Sequence, residues 1–131
     1  MIENLTPQQS WTYMQENPSA VMIDVRTKVE HGFVGHPLAA VHIPWKEFPD
    51  WQVNTQFVEQ VKVAVNNDVT RPVLLLCRSG QRSLDAAQAL NEAGFAHSIN
   101  ILDGFEGALD DNKHRGNLSG WRYCQLPWEQ S

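Results

Sequence analysis

The chain has 131 residues with a formal net charge of −5 at pH 7, and hydrophobic residues make up 42% of it. This length suits one folded domain with a hydrophobic core and is short for two, so we expect a single domain over residues 1–131. The acidic charge argues against nucleic acid and anionic membranes as partners, and no apolar run approaches the roughly 18 residues of a membrane-spanning helix, so we expect a cytoplasmic protein.

Residues near the start of the chain predict a first helix. Thr6 is a good capping residue, Pro7 suits the first helical turn, and Gln9 completes a Thr-x-x-Gln capping box. Pro18 follows the expected end of this helix, because proline cannot continue a helix.

A short buried strand is predicted next. The apolar run that starts at Ala20 leads into Asp24 and Arg26, so these two side chains are expected at the exit of the strand. Residues 39–45 have the composition of a second short strand that a proline ends. Residues 51–66 carry apolar side chains four positions apart, which predicts an amphipathic helix.

The second half of the chain repeats this pattern. Residues 73–76 form a continuous apolar run, as expected for a strand covered on both faces of a parallel sheet. Leu84, Ala87 and Leu90 then mark one face of a helix, and residues 98–102 are the next strand. The alternation predicts an α/β fold with a central, mainly parallel β-sheet flanked by helices on both faces.

From residue 103 the sequence changes character. It is rich in glycine and has little periodicity, apart from a short helix that is expected over residues 106–110. We therefore expect residues 103–131 to form a C-terminal tail that wraps around the domain.

One cysteine stands where a buried strand gives way to a helix. Cys77 follows the apolar run, and open α/β sheets bind ligands at the carboxyl ends of their strands. The loop after it contains, in order, Arg78, Ser79, Gly80, Gln81 and Arg82. Gly80 allows a sharp turn in which successive backbone N–H groups face the cysteine sulfur. These donors, the start of the following helix and the two arginines favour a nucleophilic thiolate.

A structural role is the main alternative for Cys77, because many free cysteines are simply buried. The glycine and arginines of the loop offer no packing gain that would explain such a role. Cys124 is a candidate to resolve a modified Cys77 as a disulfide, yet no redox motif joins the two. The five histidines lack metal-ligand spacing, so we expect neither a metal nor a cofactor, and His36 and His42 are expected to make local hydrogen bonds.

Several segments together give the chain a family resemblance. They are "MIDVR" (22–26), "GHPLAAVHIP" (35–44), "LLLCRSGQRS" (74–83) and "GWRYCQLPW" (120–128). Their order and content resemble the single-domain rhodanese-like sulfurtransferases, also called the rhodanese homology domain family. The resemblance covers nearly the whole chain and is specific in combination.

The resemblance implies a rhodanese fold and sulfur transfer. A sulfane sulfur from a donor such as thiosulfate would become a persulfide on Cys77 and pass to a thiophilic acceptor, cyanide or a thiol. Arg78 matches a position that contacts anionic donors, and the remaining loop residues through Arg82 contribute backbone donors. Asp24 and Arg26 match a supporting Asp-x-Arg. The implied partners are a small-molecule sulfur donor and acceptor, with a sulfur-relay protein as a further candidate.

Two alternatives remain open. A rhodanese-like module can be a non-turnover persulfide carrier or a regulatory binding module, and a carrier needs the same cysteine. Phosphatases and arsenate reductases also surround an anion with a cysteine loop, but the phosphatases place one more residue between cysteine and arginine than the four between Cys77 and Arg82. Leu76 also stands where those enzymes have a histidine.

The chain departs from the family pattern at two places. Pro37, Leu38 and Ala39 stand where Ile-Pro-Gly is usual, which we expect to reshape a connection rather than the chemistry. Phe105 and Leu109 stand where the family often has Gly-Gly and a later tryptophan. Phe105 is expected at the rim of the site, where it would alter the choice of acceptor.

Overall fold

The structure, a computed structural model, describes residues 2–131. In chain order its elements are β1 (Ile2–Leu5), α1 (Pro7–Glu16), β2 (Val21–Asp24), a π-helix (Glu30–Val34), β3 (His36–Pro37), β4 (Val41–His42), β5 (Lys46–Glu47), β6 (Gln52–Val53), α2 (Phe57–Ala64), β7 (Val73–Leu76), α3 (Gln81–Glu92), β8 (Ser98–Ile101) and β9 (Trp128–Glu129). Within these residues no helix is long and apolar enough to cross a membrane.

Five strands form the central sheet, in the order β1, β8, β7, β2, β4. Each neighbouring pair is parallel, and every residue of the middle strand β7 is buried. The predicted α/β class with a mainly parallel sheet is confirmed. Because parallel strands end at the same edge, the residues that follow β2 and β7 come together there.

Helices cover both faces of the sheet. On one face, α2 and α3 bury Phe57, Val61 and Leu90 against the sheet. On the other face, the half-buried Trp11 and Met14 of α1 pack against a second apolar cluster. Successive side chains of β7 point to opposite faces, so this strand contributes to both cores.

The tail lies on the same face as α1. Phe105 and Trp121 are both completely buried within the second cluster. The Trp121 indole donates a hydrogen bond to the Pro127 carbonyl (3.0 Å) and meets Trp11 edge-on, with ring centroids 6.0 Å apart. The expectation that Phe105 lies at the rim of the site is wrong, because its ring fills the core.

The helix expected over residues 106–110 is also absent from the structure: Glu106 lies in a turn, and residues 107–110 have no regular secondary structure. The Gly116 N–H donates to the Glu106 carbonyl, and the Asp110 N–H donates to the His114 carbonyl, both at 2.8 Å. Gly107 has a φ of +79°, which a right-handed helix does not allow.

Helix and strand boundaries follow the local signals where those signals are strong. The capping box of α1 is confirmed, with Thr6 and Gln9 exchanging two hydrogen bonds. The strand expected over residues 39–45 shrinks to β4 at the sheet edge. The helix expected over residues 51–66 begins later, as α2, because residues 46–53 form an antiparallel hairpin of β5 and β6.

Candidate active site

Cys77 lies at the carboxyl edge of the sheet, directly after β7, and only 1% of its surface is exposed. The carbonyl of Leu76, just before it, accepts the Val25 N–H at 2.9 Å. The Cys77 carbonyl itself accepts the Phe105 N–H at 2.8 Å. The backbone that carries the sulfur is therefore held by the neighbouring strand on one side and by the tail on the other.

Two groups lie within hydrogen-bonding distance of the Cys77 sulfur. The Gly80 N–H donates to it at 3.1 Å, and the Ser83 hydroxyl lies at 3.2 Å. Gly80 has a φ of +125° and directly precedes α3, so the sulfur faces the positive end of this helix. In the described structure Ser79 and Gln81 line the cavity above the sulfur, and their N–H groups do not donate to it.

A chain of hydrogen-bonded polar side chains runs from the buried sulfur to the exposed Asn4. The Ser83 hydroxyl donates to the Asn100 Oδ1 at 2.6 Å, and the Asn100 amide donates to the Asn4 Oδ1 at 3.0 Å. A hydroxyl has one proton to donate. While Ser83 donates it to Asn100, the Ser83 oxygen can accept a hydrogen bond from a Cys77 thiol. To donate to a Cys77 thiolate instead, the Ser83 hydroxyl must rotate away from Asn100. Ser83 and Asn100 are site residues that the sequence did not predict, although an asparagine within an apolar strand is a usable signal.

The Arg82 guanidinium forms an ion pair with a carboxylate. Its two terminal nitrogens bind the two Glu30 oxygens at 2.8 and 2.9 Å. The Trp51 ring also covers the guanidinium, with 5.4 Å from Cζ to the ring centroid. Glu30 further accepts hydrogen bonds from the Thr27 backbone and hydroxyl. Glu30 and Trp51 are site residues that the sequence analysis missed.

The Glu30 and Arg82 pair is charged throughout the neutral range. Burial alone would raise the pKa of Glu30, but the hydrogen bonds and charge of Arg82, together with Thr27, lower that pKa to about 2. Burial alone would likewise lower the pKa of Arg82, and Glu30 outweighs it and raises that pKa. Since Glu30 compensates the charge of Arg82, Arg78 is the cation of the loop that remains for an anionic ligand.

Asp24 and Arg26 form a completely buried ion pair beside the loop. Arg26 Nε and Nη2 bind the Asp24 carboxylate at 2.9 and 2.7 Å, and the guanidinium lies 4.5 Å above the Phe105 ring. His42 Nε2 donates to the Arg26 carbonyl at 2.7 Å, and His36 makes a local bond to the His31 carbonyl, as expected. The pair contacts the surrounding framework rather than the sulfur.

Arg78 is the exposed cation of the loop. It lines a cavity of about 220 Å³ that includes Cys77 and a larger cavity of about 410 Å³ next to it. Its backbone carbonyl accepts the N–H groups of Glu106 and Gly107, at 3.0 and 3.2 Å. The loop backbone is therefore fixed by the tail while the Arg78 side chain stays available to a ligand.

Gly104 allows this close approach of the tail. Its φ is +58°, and a Cβ at this position would overlap the Cys77 carbonyl oxygen and the Arg78 backbone. Only glycine fits where the two backbones meet so closely.

Cys124 is a free, half-buried thiol in the tail. Burial, together with the charge of Asp103, raises the pKa of this thiol. A raised pKa leaves less of the nucleophilic thiolate on Cys124 at neutral pH.

Comparison with known proteins places this geometry in context. The family model described as "Rhodanese-like domain" matches residues 6–109. The crystal structure of Rv0390 from M. tuberculosis is 41% identical, covers 98% of each chain and superposes with a TM-score of 0.86. An uncharacterized protein of Rickettsia conorii is 33% identical over 98% of each chain. The thiosulfate sulfurtransferase GlpE of Glaesserella parasuis is 32% identical and covers 79% of this chain and 82% of its own.

Proposed function

The chain belongs to the rhodanese-like domain family, and from this we propose that it is a sulfurtransferase that carries sulfane sulfur as a persulfide on Cys77. The main support is the environment of the Cys77 sulfur. The sulfur accepts a hydrogen bond from the Gly80 N–H, and Cys77 lines a cavity together with Arg78. Likeness to a thiosulfate sulfurtransferase supports thiosulfate as a donor.

The proposed reaction has two displacement steps. The Cys77 thiolate attacks the outer sulfur of thiosulfate, the bond between the two thiosulfate sulfurs breaks, and sulfite leaves with the bonding electron pair. The outer sulfur of the resulting persulfide is then attacked by cyanide or a thiolate. The bond to Cys77 Sγ breaks with its electron pair remaining on Cys77, so the thiolate is regenerated.

Each loop group has a distinct role in these steps. The Gly80 N–H and the positive end of α3 stabilise negative charge on the Cys77 sulfur and on the persulfide. Arg78 binds the anionic end of the donor through charge-assisted hydrogen bonds. Ser79 and Gln81 complete the cavity wall, and Arg82 fixes the loop through Glu30. Asp24 and Arg26 hold the adjoining strand exit.

Persulfide formation tests this proposal directly. After incubation with thiosulfate, intact-mass analysis of the natural protein should show a gain of one sulfur atom, which cyanide then removes. The Cys77→Ser protein should gain none, whereas the matched Cys124→Ser protein should gain as much as the natural protein. Sulfur gain by Cys77→Ser, or loss of it only in Cys124→Ser, would contradict the assignment.

A persulfide carrier that does not turn over is the second candidate, because it needs the same cysteine and loop. Excess thiosulfate and cyanide distinguish the two: an enzyme forms many thiocyanate molecules per Cys77, and a carrier forms one. A phosphatase is disfavoured, because the guanidinium of Arg82 binds Glu30 and is not free to bind a phosphoryl group.

A further inference from the structure

The larger cavity beside the loop exceeds what the proposed donor requires. Thiosulfate is a compact anion, and the cavity of about 220 Å³ at Cys77 accommodates it. The neighbouring cavity of about 410 Å³ shares Trp51, Arg78 and Arg82 with the smaller one, so the two adjoin. A ligand whose sulfur reaches Cys77 therefore has room for an organic body alongside.

One wall of the larger cavity is aromatic. The hairpin of β5 and β6 carries Phe48 and Trp51, whose ring centroids lie 5.1 Å apart. Phe48 is 63% exposed although it lines the cavity. Ligand pockets combine such apolar walls with a few placed polar groups.

The lining of the larger cavity also includes a cation from the tail. Arg115 is half-buried, and its Nη1 donates to the Gly107 carbonyl at 2.7 Å, which fixes the guanidinium and leaves further N–H donors for a ligand. Among residues 2–131, neither Arg78 nor Arg115 lies within ion-pair distance of a carboxylate.

The remaining charges favour an anionic ligand. Glu30 and Arg82 compensate one another, which leaves Arg78 and Arg115 against the single carboxylate of Glu106 in the lining. Arg115 lies outside residues 6–109, the part of the chain that the family model matches. This cation is therefore a feature of the tail rather than of the shared catalytic loop.

We propose that the larger cavity is the subsite for the organic part of the sulfur acceptor, and that Arg115 selects thiols that carry a carboxylate. The proposal rests on the proposed persulfide chemistry of Cys77. The acceptor thiolate bonds to the outer persulfide sulfur, the bond from that sulfur to Cys77 Sγ breaks, and the acceptor leaves as its own persulfide. The body of the acceptor packs on Phe48 and Trp51 while its carboxylate accepts hydrogen bonds from Arg115.

Discharge of the persulfide to matched thiols tests the selection. Protein loaded with sulfur, as verified by mass, is mixed with 3-mercaptopropionate, 3-mercaptopropanol or 3-aminopropanethiol, and the second-order rates are compared per thiolate. We expect the carboxylate thiol to react about tenfold faster than the neutral one, as one charge-assisted interaction implies. Arg115→Gln should bring the two rates close together, and Arg115→Lys should keep part of the difference.

The control is Lys113→Gln, which removes the same charge from an exposed position of the same tail and should keep the natural preference. An unchanged preference in Arg115→Gln would overturn the proposal. A preference for the ammonium thiol would also overturn it and would assign the subsite to Glu106.

Binding without transfer separates this proposal from the persulfide chemistry. In the Cys77→Ser protein, 3-mercaptopropionate should shift the indole N–H resonance of Trp51, assigned with Trp51→Phe, and Arg115→Gln should weaken this binding about tenfold. If no persulfide forms but this binding is seen, the proposed function fails, and the cavity is a site that binds carboxylate thiols through Arg115 without accepting sulfur. Equal binding of the carboxylate thiol and the neutral thiol would overturn the proposed subsite, whether or not Cys77 forms a persulfide.

Discussion

Replacing Glu30 by glutamine should destabilise the protein in a way that depends on pH. The pKa of Glu30 falls from 4.5 to about 2, and at about 1.4 kcal/mol per pKa unit this corresponds to about 3 kcal/mol of folding free energy. The side chain is only 18% exposed, so solvent screens the pair little. We expect Glu30→Gln to lower the free energy of unfolding by about 3 kcal/mol at pH 7, since the variant leaves Arg82 without its counterion.

The sign of the pH dependence follows from the depressed pKa. A carboxylate that is a stronger acid in the folded state stabilises the fold fully above the unfolded value of 4.5, and this stabilisation is lost as the pH falls towards 2. The difference between the natural protein and Glu30→Gln should therefore shrink to about 1 kcal/mol at pH 3.

Urea denaturation at several pH values measures both quantities. The control is Glu59→Gln, whose carboxylate is 69% exposed and lies 3.6 Å from Lys62. This exposed pair should contribute less than about 1 kcal/mol at any pH. Equal losses at pH 3 and pH 7 for Glu30→Gln, or a loss no larger than that of the control, would refute the reasoning.

Three further predictions concern the loop and the tail. Arg78→Ala should raise the KM for thiosulfate about tenfold with little change in melting temperature, and an unchanged KM would remove Arg78 from donor binding. The natural protein should not hydrolyse aryl phosphates, and inserting one residue between Gly80 and Arg82 should impair sulfur transfer. Phosphatase activity in the natural protein that Cys77→Ser abolishes would favour the phosphatase alternative. Gly104→Ala should lower the free energy of unfolding by at least about 2 kcal/mol more than the control Gly94→Ala does. Both glycines have a positive φ, but of the two only Gly104 lies against backbone atoms. Equal losses of stability in urea denaturation would contradict this prediction.

Local signals in the sequence were enough to predict the central strand and two of the helices. The apolar run of β7, the capping box at Thr6 and the glycine before α3 each depend on residues a few positions apart. The helical face of α3 was nearly right, although Leu84 is only half-buried and Ala86 takes a buried place. Short-range patterns of this kind carry their information within one turn or one strand.

The remaining features depend on contacts between distant parts of the chain. Glu30 and Arg82 are 52 positions apart, and nothing in either neighbourhood indicates the other. The strand β1 has two exposed residues and lies at the sheet edge, so its sequence lacks the apolar run of an inner strand. Phe105 was misplaced because a glycine-rich segment gives no sign of which aromatic ring turns inward.

The tail also separates two kinds of evolutionary change. Phe105 and Trp121 anchor its middle part in the core, and their neighbourhoods are joined directly, since the Trp121 N–H donates to the Gly104 carbonyl at 2.8 Å. Gly107 and Gly120 also meet closely. Residues 108–119 are therefore a closed excursion of the chain, and lengthening such a loop costs little free energy. Insertions and substitutions in this segment would reshape the cavity wall around Arg115 without changing the surroundings of Cys77. Related proteins can therefore come to use different sulfur acceptors while they keep the same sulfur chemistry.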